Sequence, residues 1–272
     1  GADKELDFVA LSFIQRADDV NNLRQILVSQ GSTAQIIAKI ETKAAIEPET
    51  LKQIVKAADG VMAARGDMAI ETSAEIVPIV EREIIRLCRK YGKLSIVATQ
   101  MMASMVDSPE PTRAEVSDVA TAAILGTDVV MLSDETANGN YPVETVKMMA
   151  NTVRYTQSRW PMNDMPIEEG EVNRRRNAIA HAAVEVAERV DADLIIAETK
   201  SGATAARIAA LRPELPIIAV TPSPRVAQQL ALSYATRSYV RDDEEHAGVN
   251  VAKELLTTGK YSNNGRLVVV VV

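Results

Sequence analysis

Aromatic residues are scarce in this chain: they make up 3% of it, with one tryptophan and two phenylalanines. Proteins that hold single strands of nucleic acid use aromatic platforms for base stacking, so the scarcity argues against that class. It also obliges the core to be built from Ala, Val, Ile, Leu and Met. Cysteine is scarcer still. Cys88 is the only one, so no internal disulfide can form, and a reducing, cytoplasmic setting fits best. Histidine occurs twice, as His181 and His246. Neither has a Cys or His partner at metal-ligand spacing. An excess of positive charge is also missing. The net charge of −7 disfavours a general polyanion surface, although one cationic pocket for a phosphorylated metabolite stays open. No apolar run is long enough to span a bilayer, and no signal-peptide pattern appears. These absences point to no nucleic-acid partner and no membrane.

What is present is a globular profile. The 272 residues are 47% hydrophobic and 25% charged, enough for one large or two ordinary domains with real cores. Short apolar runs alternate with longer helical patterns. Strands are expected at Leu6–Phe13, Gln35–Ile40, Gly60–Ala64, Leu94–Thr99 and Asp128–Leu132. Helices are expected at Ala17–Gln30, Pro48–Ala57, Ile76–Tyr91, Arg113–Leu125 and Pro142–Ser158. Asp18 and Asp19 open the first helix, and Pro142 opens the last. Gly31, Gly92 and Gly126 stand just past helix ends. Strictly alternating strands and helices imply parallel βαβ units, arranged as an open sheet or part of a closed barrel.

The rhythm breaks over residues 159–176, where Pro161, Pro166, Gly170, a run of acids and Arg174-Arg175-Arg176 read as a connector. The division expected is therefore 1–158, a connector at 159–176, and a smaller α/β block at 177–272. Within that block, helices are expected at Asn177–Val190, Ala203–Leu211, Arg225–Tyr234 and Gly248–Thr257. Strands are expected at Asp193–Glu198, Ile217–Val220, Ser238–Val240 and Arg266–Val272. The final valine run belongs inside a sheet.

Chemistry gathers where the first five strands end. In a strand, residues two apart share a side, so Lys39 and Glu41 share a face at the end of the second. Arg65, Gly66 and Asp67 end the third, Thr99 and Gln100 the fourth, Ser133 and Glu135 the fifth, and Ser12 and Arg16 follow the first. Parallel α/β folds bind ligands at the carboxyl ends of their strands. Glu41 and Asp67 offer hard oxygens suited to Mg2+, which takes one or two carboxylates and leaves its other positions to water and substrate. Lys39 suits a transferring phosphoryl group. The Gly66 N–H can meet a substrate carboxylate, and Thr99 and Ser133 offer hydroxyls for orienting substrate or a water in proton transfer. Met101, Met102, Met105, Met148 and Met149 read as core filler.

The strings IIAKIET, DGVMAARGDMAIE, IVATQMMASM, PTRAEVSDVATA and VMLSDETANGNYPVE resemble pyruvate kinase, in order and spacing, from Leu6 to about Ser158. The second block resembles that family's C-terminal domain through Thr199-Lys200-Ser201-Gly202-Ala203-Thr204-Ala205 and Arg212-Pro213. The resemblance implies part of a (β/α)8 barrel, strands four to eight, followed by a truncated three-layer α/β domain. The first three barrel strands and the inserted lid domain are expected to be absent, and with them most of the nucleotide site.

The implied reaction is phosphoryl transfer from phosphoenolpyruvate to ADP, giving pyruvate and ATP. Lys39, Thr99 and Ser133 would be catalytic. Arg65, Gly66, Asp67 and Thr99 would bind substrate, and Glu41 and Asp67 would hold Mg2+ or Mn2+. K+ is implied too, with ligands mostly outside this chain, as is a cytoplasmic homotetramer. In regulated members the turn at Thr199, Lys200, Ser201, Gly202 and Thr204 would hold a phosphorylated effector. The chain departs from the family at Asp134 (often Gly), Asn138 (often Lys) and Ala206 (often Arg, with Arg207 one place later). The chain alone is expected to turn over little or not at all, leaving a non-catalytic remnant or one half of a split enzyme as rival readings. Lys39→Met is expected to remove any activity without unfolding the chain.

Overall fold

A computed structural model describes residues 6–160, 174–258 and 268–271. Most of the expected connector lies outside the described residues. Two compact units emerge, Gly1–Cys88 with Lys93–Met165, and Arg89–Gly92 with Pro166–Val272.

The first unit runs β1 (Phe8–Leu11), α1 (Ala17–Ser29), β2 (Gln35–Ile40), α2 (Pro48–Ala57), β3 (Gly60–Ala64), α3 (Arg65–Glu71), α4 (Val77–Tyr91), β4 (Leu94–Ala98), α5 (Arg113–Leu125), β5 (Val129–Met131), α6 (Asp134–Ala137) and α7 (Pro142–Arg159). Its five strands form one sheet in chain order, every pair parallel. This is the α/β architecture of consecutive barrel units. All of β3 is buried, as a strand covered on both faces should be. One sheet face packs Ile37, Met62, Ile96 and Ala98 together. Elsewhere Met101, Met102, Met105 and Met149 join Ile85, Val97 and Val119 in a second cluster, so those methionines do fill core.

The register Leu11↔Ala38, Ile40↔Ala63, Ala64↔Ala98 and Ala98↔Met131 aligns the carboxyl ends of all five strands along one rim. Two short helices were not foreseen there: α3 begins directly after β3, and α6 after two intervening residues past the end of β5. Neither is long enough to show an apolar period. Asp67 in α3, and Asp134 and Glu135 in α6, place negative charge on the first turn, where free N–H groups favour it. The first strand is shorter than expected because Phe13 turns to φ 53°.

Helix α5 shows how local sequence sets an element's limits. Thr112 Oγ1 accepts from the Glu115 N–H, and Glu115 returns to the Thr112 N–H at 2.7 Å, a reciprocal cap. The far end stops at Gly126, left-handed at φ 76°. Glu115 also accepts from Ser104 N at 2.7 Å and Ser104 Oγ at 2.5 Å. Burial pushes its carboxyl pKa up, but the bonds from Ser104 and Thr112 outweigh that and hold it below the ordinary 4.5. A depressed folded value means stabilisation present above the unfolded value and lost as pH falls through the folded one. Glu115→Gln is therefore expected to cost about 1 kcal/mol or less near neutral pH, solvent screening limiting it. The difference from wild type should shrink as pH drops below 4.5 in urea titrations.

Gly139 supplies a second stability prediction. A Cβ there would stand 2.5 Å from the Glu135 carbonyl oxygen, which cannot swing away as a side chain would. Gly139→Ala is expected to lower unfolding free energy by about 1–3 kcal/mol, read as a shift in urea midpoint.

The second unit contains α8 (Arg174–Arg189), β6 (Leu194–Glu198), α9 (Ala203–Ala210), β7 (Ile217–Thr221), α10 (Pro224–Gln229), β8 (Thr236–Val240), α11 (Ala247–Thr258) and β9 (Val268–Val271). Its parallel sheet has the order β8-β7-β6-β9, so the valine run does form a strand; expected inside the sheet, it stands at the edge beside β6 among the described residues and is mostly half-buried. The helix expected through Tyr234 ends at Gln229 and tightens into a 3-10 turn at Leu230–Leu232. Among the described residues no helix is long and apolar enough to cross a membrane.

Candidate active site

The end of β2 carries a charged pair. Glu41 is 0% exposed, and the Lys39 ammonium lies 2.5 Å from its Oε1. Lys39 also donates to Ser12 Oγ at 3.2 Å, and Glu41 Oε2 accepts from the Phe13 N–H at 2.7 Å. Both contacts tie the loop after β1 to the end of β2. A carboxylate wholly out of water needs a compensating charge, and Lys39 supplies it. Among the described residues no donor other than Lys39 reaches Oε1.

Asp67 lies on the first turn of α3, at the end of the neighbouring strand. It is half-buried, and among the described residues no hydrogen bond or ion pair engages its carboxylate. Among the described residues, too, no cluster of three or more His, Cys, Asp or Glu side chains is arranged to hold a metal. A cation such as Mg2+ takes one or two protein carboxylates and leaves its other positions to water and substrate. Glu41, paired with Lys39, and the unengaged Asp67 are the carboxylates at the ends of these two neighbouring strands.

The Gly66 N–H and the Arg65 side chain both have partners inside the protein. The Gly66 N–H, expected to face a substrate carboxylate, donates to Thr99 Oγ1 at 2.9 Å. The Arg65 side chain is 8% exposed and fully committed inside the protein. Its Nη2 donates to Thr99 O and Gln100 O, both at 2.9 Å, and its Nε to Thr99 O at 3.2 Å. Its Nη1 donates to Asp118 Oδ2 at 2.7 Å and stands 3.6 Å from Glu81 Oε2. Burial raises the Glu81 pKa, the adjacent guanidinium lowers it, and the Asp118 charge raises it further, with a net upward shift. Any contribution Arg65 makes to substrate binding must come from its backbone.

Ser133 starts α6, and its hydroxyl has no hydrogen-bond partner among the described residues. Beneath it Glu135, 2% exposed, accepts from Ser133 N at 2.7 Å and from Met102 N at 3.1 Å, joining the loops after β4 and β5. The two family departures in this loop meet each other: Asn138 Nδ2 donates to Asp134 Oδ1 at 3.2 Å.

In the second unit, Thr199 through Thr204 form the turn from β6 into α9, with Gly202 left-handed at φ 82°. Lys200 is already paired with Asp243 at 2.5 Å. The adjoining cleft, about 210 Å³, sets the carboxylates of Glu198, Asp242, Asp243 and Glu244 against the cations of Lys200 and Arg241. His181 and His246 are exposed and take no part.

Sequence reading missed Asp118, Glu81 and the anchoring role of Glu135. Asp118 stood in the PTRAEVSD string, but its pairing with Arg65 spans 53 residues and leaves no local pattern.

Two family models match the chain: "Pyruvate kinase, barrel domain" over residues 1–146 and "Pyruvate kinase, alpha/beta domain" over residues 177–272. Pyruvate kinase 2 of Synechocystis sp. is 40% identical over 277 residues, covering 99% of this chain and 45% of the relative. Pyruvate kinase of Agrobacterium vitis is 44% identical over 250 residues, covering 90% and 50%. That of Clostridium perfringens is 40% identical over 239 residues, covering 86% and 50%. The chain spans about half the length of these curated relatives.

Proposed function

The chain belongs to the pyruvate kinase family, and on that premise we propose that its first unit carries the metal and phosphoryl side of a site that moves a phosphoryl group from phosphoenolpyruvate to ADP. The products are pyruvate and ATP. The observation that carries this is the buried Glu41 carboxylate with the Lys39 ammonium 2.5 Å from its Oε1, at the end of the strand beside the one that leads into Asp67.

Phosphoryl transfer needs little covalent help from a protein and much positioning and charge neutralisation. Lys39 places its positive charge where the phosphoryl oxygens gain negative charge. Glu41 and Asp67 would hold the divalent cation, Mg2+ or Mn2+, which when bound neutralises phosphate and enolate oxygens. The backbone at Arg65–Asp67 and the Thr99 hydroxyl bound the space for the substrate carboxylate, with the Gly66 N–H released from Thr99 Oγ1 as substrate arrives. After the phosphorus–oxygen bond breaks, the enolate of pyruvate takes a proton at its methylene carbon. Thr99 and Ser133 are the hydroxyls that orient or deliver it. Domain limits near 158 and 177, a K+ requirement, a homotetramer and a cytoplasmic setting belong to the same proposal through family membership.

The test is pyruvate formation from phosphoenolpyruvate, ADP, Mg2+ and K+, followed through a coupled dehydrogenase. It is run on the chain alone and with the N-terminal half of a relative supplied. Turnover in either arm that requires Lys39 supports the proposal; no turnover in both arms contradicts it. Turnover by the chain alone would also remove the remnant reading.

A further inference from the structure

Two consecutive residues after β4 hold left-handed backbone although neither is glycine: Thr99 at φ 72° and Gln100 at φ 52°. Thr99 is β-branched, for which this region is an outlier. Strain of this kind persists only where the surroundings over-determine it, and it gathers at functional positions. Here the surroundings are one side chain. The left-handed turn points the carbonyls of Thr99 and Gln100 at the Arg65 guanidinium, which receives both. Asp118 and Glu81 hold the fork's remaining nitrogen from the other side. The residue after Arg65 then closes the loop, with Gly66 N–H donating to Thr99 Oγ1.

We propose that Arg65 is a positioning residue whose guanidinium clamps the strained Thr99–Gln100 turn onto helix α3, so that Asp67, Gly66 and the Thr99 hydroxyl keep one geometry. The proposal rests on the reading of Asp67 and Thr99 as site residues given above. A flexible ammonium cannot replace the clamp, because two carbonyls and a carboxylate must be met at once by a rigid planar fork. With 8% of its surface exposed, Arg65 has no face left for an anionic substrate.

The experiment uses the full isotope-labelled chain and does not depend on turnover. Amide exchange at Gly66 and the Cα and Cβ shifts of Thr99 are compared among wild type, Arg65→Lys, Arg65→Met and Arg65→Met/Gln100→Gly. Exchange is referenced to core amides of β4 in the same sample, which separates local release from global loosening. Arg65→Lys and Arg65→Met are expected to speed Gly66 exchange by about tenfold or more relative to β4 and to move the Thr99 shifts toward extended values. Gln100→Gly in the Arg65→Met background should recover most of that change, because glycine takes positive φ at no steric cost. Affinity for Mn2+ should fall by about tenfold in Arg65→Met and return with the glycine. Unchanged Gly66 exchange and Thr99 shifts in both Arg65 variants would overturn the proposal, as would failure of the glycine to recover them. Absence of pyruvate formation in both arms of the assay above would count against the functional reading alone, since none of these readouts requires turnover.

Discussion

Lys39→Met is expected to slow pyruvate formation by about a thousandfold or more, in whichever arm of the assay supports turnover. Charged groups that meet a transferring phosphoryl group are worth about that much, because their stabilisation grows as charge develops. Methionine keeps the length and apolar stem of lysine and removes only the charge. The sequence suggests that this change spares the fold. The structure adds a cost: Glu41 stays 0% exposed and loses its counter-ion. Removing one partner of a buried pair costs about 3–5 kcal/mol, and the 24% exposure of Lys39 brings the expected loss nearer about 2 kcal/mol. Added Mg2+ should recover more stability in the variant than in wild type, because Lys39 no longer competes for Glu41. An unchanged rate would take Lys39 out of the mechanism.

Glu41→Ala is expected to lower unfolding free energy by about 3–5 kcal/mol, measured by urea denaturation. Three things are lost together. Lys39 is left without its anion, a buried volume empties, and the Phe13 N–H loses its acceptor while Phe13 sits at φ 53°. Phe13 amide exchange should rise in parallel, since that bond ties the loop after β1 to β2. A loss under about 1 kcal/mol would show that the loop is held by other contacts.

Much of this arrangement is legible in the sequence for identifiable reasons. The strands show because fully buried parallel strands are continuous apolar runs, as at Gly60–Ala64. The helix ends show because Thr112, Pro142 and Gly126 carry capping chemistry. Lys39 and Glu41 meet because a period of two places them on one face. The helices α3 and α6 escape because a helix of four to seven residues has no period to read and depends on tertiary support. The internal use of Arg65 escapes for another reason. The partners of its side chain, Thr99, Gln100, Glu81 and Asp118, are distant in sequence and leave no local pattern. The pairing of Lys200 with Asp243 escapes likewise, since Asp243 lies 43 residues away in sequence.

The central claim is that Glu41 and Asp67 together hold one divalent cation beside Lys39. Mn2+ titration of the purified chain, followed by electron paramagnetic resonance of the free ion, tests it most directly. The account predicts one site in wild type, lost in Glu41→Gln and in Asp67→Asn alike. Equal Mn2+ binding in wild type and both variants would contradict it.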